Sequence, residues 1–195
     1  MENTTANWPV VKGDCASGDP GSRIAVVTLA SHMEPDENAA IWGSCKTENL
    51  GAEKVIANVI SNSNIRYILL CGAESRGHLA GQTLLSLYNN GIDENGRIIG
   101  SEGAIPFIEN IDGTMIERFQ RQVTFIENIG LTDLDEIFRI VEEYKDKGDA
   151  FPEEPMMFQQ PSRRCPFSLD EVDADVIVAE NVFMDTSCGL IYEVD

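Results

Sequence analysis

The stretch LLCGAESRGHLAGQ at 69–82 sets one of the chain's two histidines, His78, behind a glycine turn and among small residues. Gly77, Ala80 and Gly81 take side-chain bulk away from the imidazole, so a flat, large ligand could reach the backbone while the ring projects toward it. An imidazole in that setting suits a single axial bond to the metal of a macrocycle. Phosphate chemistry fits less well, because CGAESRGHLAG lacks the G-x-G-x-x-G spacing and no GxxxxGK[ST] occurs anywhere. A hydrolase fits no better: there is no G-x-S-x-G elbow, and two histidines leave few ways to build a triad. The second histidine, His32 in LASHM, lacks the small-residue surround and reads as a pocket wall or a structural residue.

The hydrophobic pattern describes the framework that must hold these residues. IAVVTL (24–29) and IRYILLC (65–71) are apolar runs without alternation, as expected of strands buried on both faces of a parallel sheet. Between them TENLGAEKVIANVISN carries Ala52, Val55, Ile56, Val59 and Ile60 at helical spacing. Leu84, Leu85, Leu87 and Tyr88 mark a second helix, closed by Asn89-Asn90-Gly91. A short strand at RIIG (97–100), a loop through SEGAIPFIENI, a helix over 113–121, a strand at VTFIEN and a helix across DLDEIFRIVEEYKD complete the series. The fold class is therefore α/β: a Rossmann-like open, mainly parallel sheet with helices on both faces, spanning 1–151. In such sheets ligands sit beyond the carboxyl ends of the strands. ASHMEPDENAAIWGSCKTEN, GAESRGH and SEGAIPF all fall at that rim, which gathers both histidines there. Past residue 151, PEEPMMFQQPSRRCP is a proline-punctuated linker, and 165–195 hold eight carboxylates with no lysine or arginine. Within this acidic C-terminal extension (152–195), DVIVAENVF and GLIYEVD read as strands joined by MDTSC, a β-hairpin.

Charge and composition narrow the function classes. Fourteen basic against 33 acidic residues give a formal charge of −19, which repels nucleic acid and anionic lipid rather than attracting them. Five cysteines, odd in number and without a C-x-x-C pair, suggest neither a disulfide framework nor a zinc site, and fit a reducing cytoplasm. No window approaches the roughly 18 to 20 apolar residues of a membrane helix, and the first residues show no leader pattern, so a soluble protein with no direct membrane span is expected.

His78-Leu-Ala-Gly81 matches the H-x-x-G half of the D-x-H-x-x-G motif of methionine synthase-type cobalamin domains, but Arg76 stands where that aspartate would be. A longer set of strings points elsewhere: WPVVKGD (8–14), IAVVTLASHM (24–33), CKTENLG (45–51), NIRYILLCGAE (64–74), GHLAGQ (77–82) and GAIPFIEN (103–110). Over about residues 8–155 they make the chain resemble the A-subunit of tetrahydromethanopterin S-methyltransferase. That resemblance implies a cobamide (cobalamin or 5-hydroxybenzimidazolyl cobamide) at the carboxyl rim, base-off, with His78 as the lower axial ligand of cobalt. It also implies a methyl group passing from methyl-tetrahydromethanopterin onto cobalt and then to the thiol of coenzyme M, in a membrane complex that couples the second step to sodium export. Cobalt(I) prefers no axial ligand and methyl-cobalt(III) accepts one, so His78 would bind in one state and release in the other.

Around His78 the resemblance implies a cofactor-binding surface of Gly72, Ala73, Gly77, Leu79 and Gly81. Glu74, Ser75 and Gln82 are candidates to bond corrin amides or orient His78. Gly103, Ala104, Ile105 and Pro106 would lie against a corrin face, with Ser31, Gly43, Ser44 and Cys45 on the pocket's other wall. Cys45 and Cys71 read as inert small hydrophobes rather than cobalt ligands. Two departures stand out: the acidic tail in place of the family's usual C-terminal membrane helix, and Trp42 and Ser44 where small residues and proline are common. Partner proteins presenting a methylated pterin and a thiol are implied, the alternative being a soluble corrinoid-binding protein for storage or delivery.

Overall fold

The computed structural model describes residues 3–158 and, beyond them, 176–179, 182–185 and 190–193. The chain divides into two compact units, 1–160 and 161–195. In the first, β2 (Ile24–Val27) and β4 (Tyr67–Leu70) pair in parallel at the centre of a five-stranded sheet, flanked by β3 (Ile41–Gly43) and β5 (Thr124–Glu127). The short β1 (Cys15–Ser17) adds an antiparallel edge on β3. The order is β1-β3-β2-β4-β5, and every pair except β1 with β3 is parallel.

The four helices among the described residues form where the apolar spacing requires and begin where a side chain can take their free amides. Asn49 accepts from the Leu50 amide ahead of α1 (Leu50–Ile60), and Asp112 accepts from Met115 ahead of α3 (Gly113–Gln122). Asp133 likewise accepts from Glu136 ahead of α4 (Leu134–Tyr144). Gly91, at φ 71°, ends α2 (Ala80–Asn90) with its amide on the Leu87 carbonyl. Alternate residues of the central strands face opposite layers. Ala25, Val27, Ile68 and Leu70 pack with α1, α2 and α3, while Ile24, Val26 and Leu69 pack with Ile137 and Val141 of α4.

Three sequence expectations change. RIIG is not a sheet strand: Arg97 and Ile98 form isolated antiparallel bridges to Phe107 and Ile92. Gly96 and Gly100, both at positive φ, and the Asp93 carboxylate, which accepts from the Asn95 and Arg97 amides, curl this segment into a compact loop after α2. Conversely β3 joins the sheet from within ASHMEPDENAAIWGSCKTEN, read as a rim segment, and β1 adds an edge strand ahead of the first one read, because three-residue strands are too short to show a period. Residues 151–158 strap back onto the first unit. The Phe151 amide bonds the Ser63 carbonyl, the Met156 amide the Ile60 carbonyl, and the buried Arg118 guanidinium reaches the Glu154 carbonyl and lies 4.4 Å from the Phe151 ring centroid. In the second unit β6 (Val176–Ala179), β7 (Val182–Asp185) and β8 (Leu190–Glu193) pair antiparallel in that order, so DVIVAENVF, read as one strand, holds two, and of the turn expected at MDTSC Met184 and Asp185 belong to β7 while the rest lies outside the described residues. Among the described residues no helix is long and apolar enough to cross a membrane.

The chain leaves β2 toward β3 on one side and leaves β4 toward β5 on the other, so the carboxyl ends of β2 and β4 flank a topological switch point. There the Ala30 amide bonds the Ala73 carbonyl and the Ala73 amide bonds Ser31 Oγ, tying the two strand exits together. Gly72 permits this approach: its φ is 77°, and a Cβ there would meet the Thr28 carbonyl oxygen at 2.1 Å. Gly72→Ala should therefore destabilise the protein by at least about 2 kcal/mol through combined strain and backbone clash. A urea unfolding midpoint within error of the parent's would contradict this reading.

Candidate functional site

His78 sits at the end of the loop that leaves β4, with its side chain 51% exposed. Its Nδ1 lies 2.7 Å from Glu48 Oε2, whose side chain is 1% exposed. An ionised carboxylate only accepts, so Nδ1 carries the proton and donates, and the tautomer this selects has its lone pair on Nε2. Nε2 makes no hydrogen bond to any described residue. The ring is thus held at one nitrogen and presents the other as a donor atom.

Glu48 comes from the connection between β3 and α1, and its other oxygen accepts from the Ile105 amide at 2.6 Å. Burial works to raise its pKa. The backbone amides of Glu48 itself and Ile105, with the His78 ring, outweigh burial and hold the carboxyl below its ordinary value. Gly103 explains how the third loop fits: a Cβ there would lie 2.5 Å from the His78 carbonyl oxygen and 2.9 Å from Glu48 Cγ. Beside this pair Ile105 is 60% exposed, and Ala104 is exposed while Pro106 is buried beneath. An apolar side chain left in water next to an available imidazole nitrogen is the arrangement a flat, largely apolar ligand would cover.

The other expected residues divide by what they touch. Glu74 is committed to α2: Oε1 accepts from the Ser75 and Gly81 amides at 2.9 and 3.0 Å, and Oε2 from the Gln82 amide at 3.0 Å. It replaces the ordinary cap, since Leu79 at the cap position has φ 48° and no side-chain bond. Ser75 Oγ accepts from the Ala80 amide, and Gln82 bridges the Gly100 carbonyl and the Glu102 amide. These three position the His78 loop from within. The small residues divide in the same way. Ala80 and Gly81 are buried, and a Cβ on Gly81 would meet Glu74 Oε2 at 2.8 Å and Leu29 Cδ1 at 2.9 Å, so Gly81 serves helix packing. Gly77, at φ 78° with nothing within 4 Å of an added Cβ, is the open one.

Of the residues expected on the pocket's other wall, Ser44 donates from Oγ to Asp14 Oδ2, Gly43 makes room for Cys15, and among the described residues neither shares a cavity with His78. Cys45 and Cys71 are buried, and desolvation pushes each thiol up to about 12, so both stay protonated and unreactive. Ser31 and His32, with Thr28 and the buried Trp42, line a cavity of about 200 Å³ that does not include His78. Glu48, the partner of the His78 ring, is the residue of this site that sequence reasoning missed. It lies inside the CKTENLG string, 30 residues before His78, with no local spacing to link the two. Among the described residues no three His, Cys, Asp or Glu side chains cluster as a metal site.

The family model for the A-subunit of tetrahydromethanopterin S-methyltransferase matches residues 2–164. A relative from Methanosarcina acetivorans, named as the A-subunit of the methyltransferase Mtx, is 59% identical over 191 residues, covering 98% of this chain and 97% of its own. The first of two tetrahydromethanopterin S-methyltransferase A-subunits of Methanothermobacter thermautotrophicus is 52% identical over 158 residues, 78% of this chain and 66% of that protein. The second, from the same organism, is 48% identical over 161 residues, covering 80% and 87%.

The capping role of Glu74 is testable apart from any ligand. Glu74→Ala removes an acceptor shared by three amides at the start of α2 and should lower stability by about 1 to 2 kcal/mol, with Glu74→Gln recovering part of the loss. Equal urea midpoints for parent and Glu74→Ala would show that α2 is capped by other means.

Proposed function

Because the chain belongs to the A-subunit family of tetrahydromethanopterin S-methyltransferase, we propose that it carries a cobamide with His78 as the lower axial ligand and acts as the methyl-carrying component of a methyltransferase. The observation that carries this reading is the Glu48–His78 pair: a buried carboxylate holds Nδ1 and leaves Nε2 available on an exposed ring. A carboxylate behind a ligating histidine fixes the tautomer and raises the basicity of the donor nitrogen. The donor chemistry therefore fits a cobamide, and the neighbouring Ile105 and open Gly77 suit a macrocycle lying over the rim.

A cobamide, when bound, supplies the cobalt that accepts a methyl group from a methylated pterin and yields it to a thiol such as that of coenzyme M. The protein's own residues supply position. Glu48 keeps the imidazole in one tautomer and one orientation, so Nε2 can bind or release without the ring being lost to solvent. The Ile105 amide keeps Glu48 in place, and the α2 cap at Glu74 fixes the loop that bears His78. Methylated pterin and thiol would be presented by partner proteins above the exposed face of the site. The sheet that gathers the three loops is Rossmann-like in this reading.

The assignment is tested by reconstituting the protein, labelled with nitrogen-15 histidine, with cobamide and recording the electron paramagnetic resonance of its cobalt(II) form. The lines should carry hyperfine splitting from one protein imidazole nitrogen, at about one corrinoid per chain. His78→Ala should remove that splitting while much of the corrinoid stays bound, His32→Ala should leave it intact, and Glu48→Ala should reduce the fraction showing it. Splitting that survives His78→Ala and disappears with His32→Ala would overturn the assignment.

A further inference from the structure

Residues 100–103 read Gly-Ser-Glu-Gly and carry no apolar side chain, so hydrophobic packing cannot hold this segment in place. Hydrogen bonds from one face of α2 do so instead. The Gly100 carbonyl accepts from Gln82 Nε2 at 2.9 Å and from Ser86 Oγ at 3.1 Å, and the Glu102 amide donates to Gln82 Oε1 at 3.0 Å. Between these bonds Thr83 Oγ1 and Ser101 Oγ lie 2.6 Å apart in a buried pair, and Ser101 Oγ accepts from the Gly103 amide at 3.2 Å. A helical threonine commonly returns its hydroxyl to a carbonyl one turn back. The hydroxyl of the fully buried Thr83 bonds only Ser101 among the described residues, while the Thr83 amide donates to the carbonyl of Leu79, the residue after His78.

The loop so anchored closes over Glu48. Gly103 lies against the His78 carbonyl and Glu48 too closely to admit a Cβ, and two residues later the Ile105 amide donates to Glu48 Oε1 at 2.6 Å. Glu48 Oε2 in turn takes Nδ1 of His78 at 2.7 Å. An imidazole in water carries its proton mostly on Nε2, so the Nδ1–H form at His78 must be selected by a carboxylate held in place. We infer that Thr83 is a positioning residue for His78: by anchoring Ser101 and Gly103 it keeps the Ile105 amide on Glu48, and so keeps the imidazole proton on Nδ1 with Nε2 open. The use of that tautomer in cobalt ligation rests on the corrinoid reading above, whereas the tautomer itself does not.

Nitrogen-15 NMR of histidine-labelled, ligand-free protein, at a pH where imidazole is neutral, reads the tautomers directly, with His32→Ala separating the two rings. His78 of the parent should be mainly the Nδ1–H form. Thr83→Val, which keeps the side-chain shape and removes the hydroxyl, should lower the ratio of Nδ1–H to Nε2–H by about tenfold, the scale of one buried hydrogen bond lost. Ser101→Ala, which removes the other hydroxyl of the pair, should do the same, and Thr83→Ser should recover the parent ratio. Ile137→Val trims the core on the opposite face of the sheet and should leave the ratio unchanged. In protein loaded with cobamide, Thr83→Val should show imidazole splitting of the cobalt(II) resonance in a smaller fraction than the parent. A parent-like tautomer ratio in Thr83→Val or Ser101→Ala, or an equal change in Ile137→Val, would overturn the inference. Full splitting despite a shifted ratio would overturn its bearing on ligation. Failure of the folded parent to bind cobamide would overturn the corrinoid reading and leave the tautomer comparison to decide this one.

Discussion

A buried carboxylate is costly unless its oxygens are satisfied, and Glu48 is the point where three separate connections meet to satisfy one. The β3–α1 connection supplies the carboxylate, the 101–108 loop supplies the Ile105 amide, and the β4–α2 loop supplies the His78 ring. None of the three is near the others in the chain. Taking away any one would leave the charge or its partner short of a bond. That mutual need holds an otherwise exposed imidazole in a single orientation, which is what an axial donor requires.

The rest of the fold serves to bring those connections to one rim. The β2–β4 pair forms the rigid centre, with α1, α2 and α3 packed on one face and α4 on the other. Because β3 and β5 lie on opposite sides of that pair, the strand exits diverge there, and Gly72 lets them approach within hydrogen-bonding distance. The loop of 91–108 depends on its own internal bonds through Asp93 and on Gln82 and Thr83 of α2, which hold Gly100, Ser101 and Glu102. Far from the rim, Arg118 closes the body by joining Ser63 to the strap at Glu153 and Glu154, with Arg121 paired to the Glu153 carboxylate.

The glycines and carboxylates around His78 divide into two roles each. Gly77 is open to solvent and Gly81 is enclosed by packing, although both flank the same histidine in the chain. Glu48 and Glu74 are both rim carboxylates, yet one holds the imidazole and the other holds the amides of α2. A helix whose cap position is the left-handed Leu79 has amides in need of an acceptor, and Glu74 meets that need.

Sequence alone determined the α/β alternation, the two central strands, all four helices and the placing of His78 at the carboxyl rim. These follow from local regularities: unbroken apolar runs, a 3.6-residue stripe and helix-ending glycine, all written within a dozen residues. The family was legible as well, in long strings kept in order. The tertiary structure decided what local pattern cannot encode. It made strands of Cys15–Ser17 and Ile41–Gly43, whose three residues are fewer than any period needs, and curled RIIG out of the sheet through Asp93, Gly96 and Gly100. It joined Glu48 to His78 across 30 residues, because a hydrogen bond between two loops depends on where the sheet ends each strand and leaves no spacing in the chain to read.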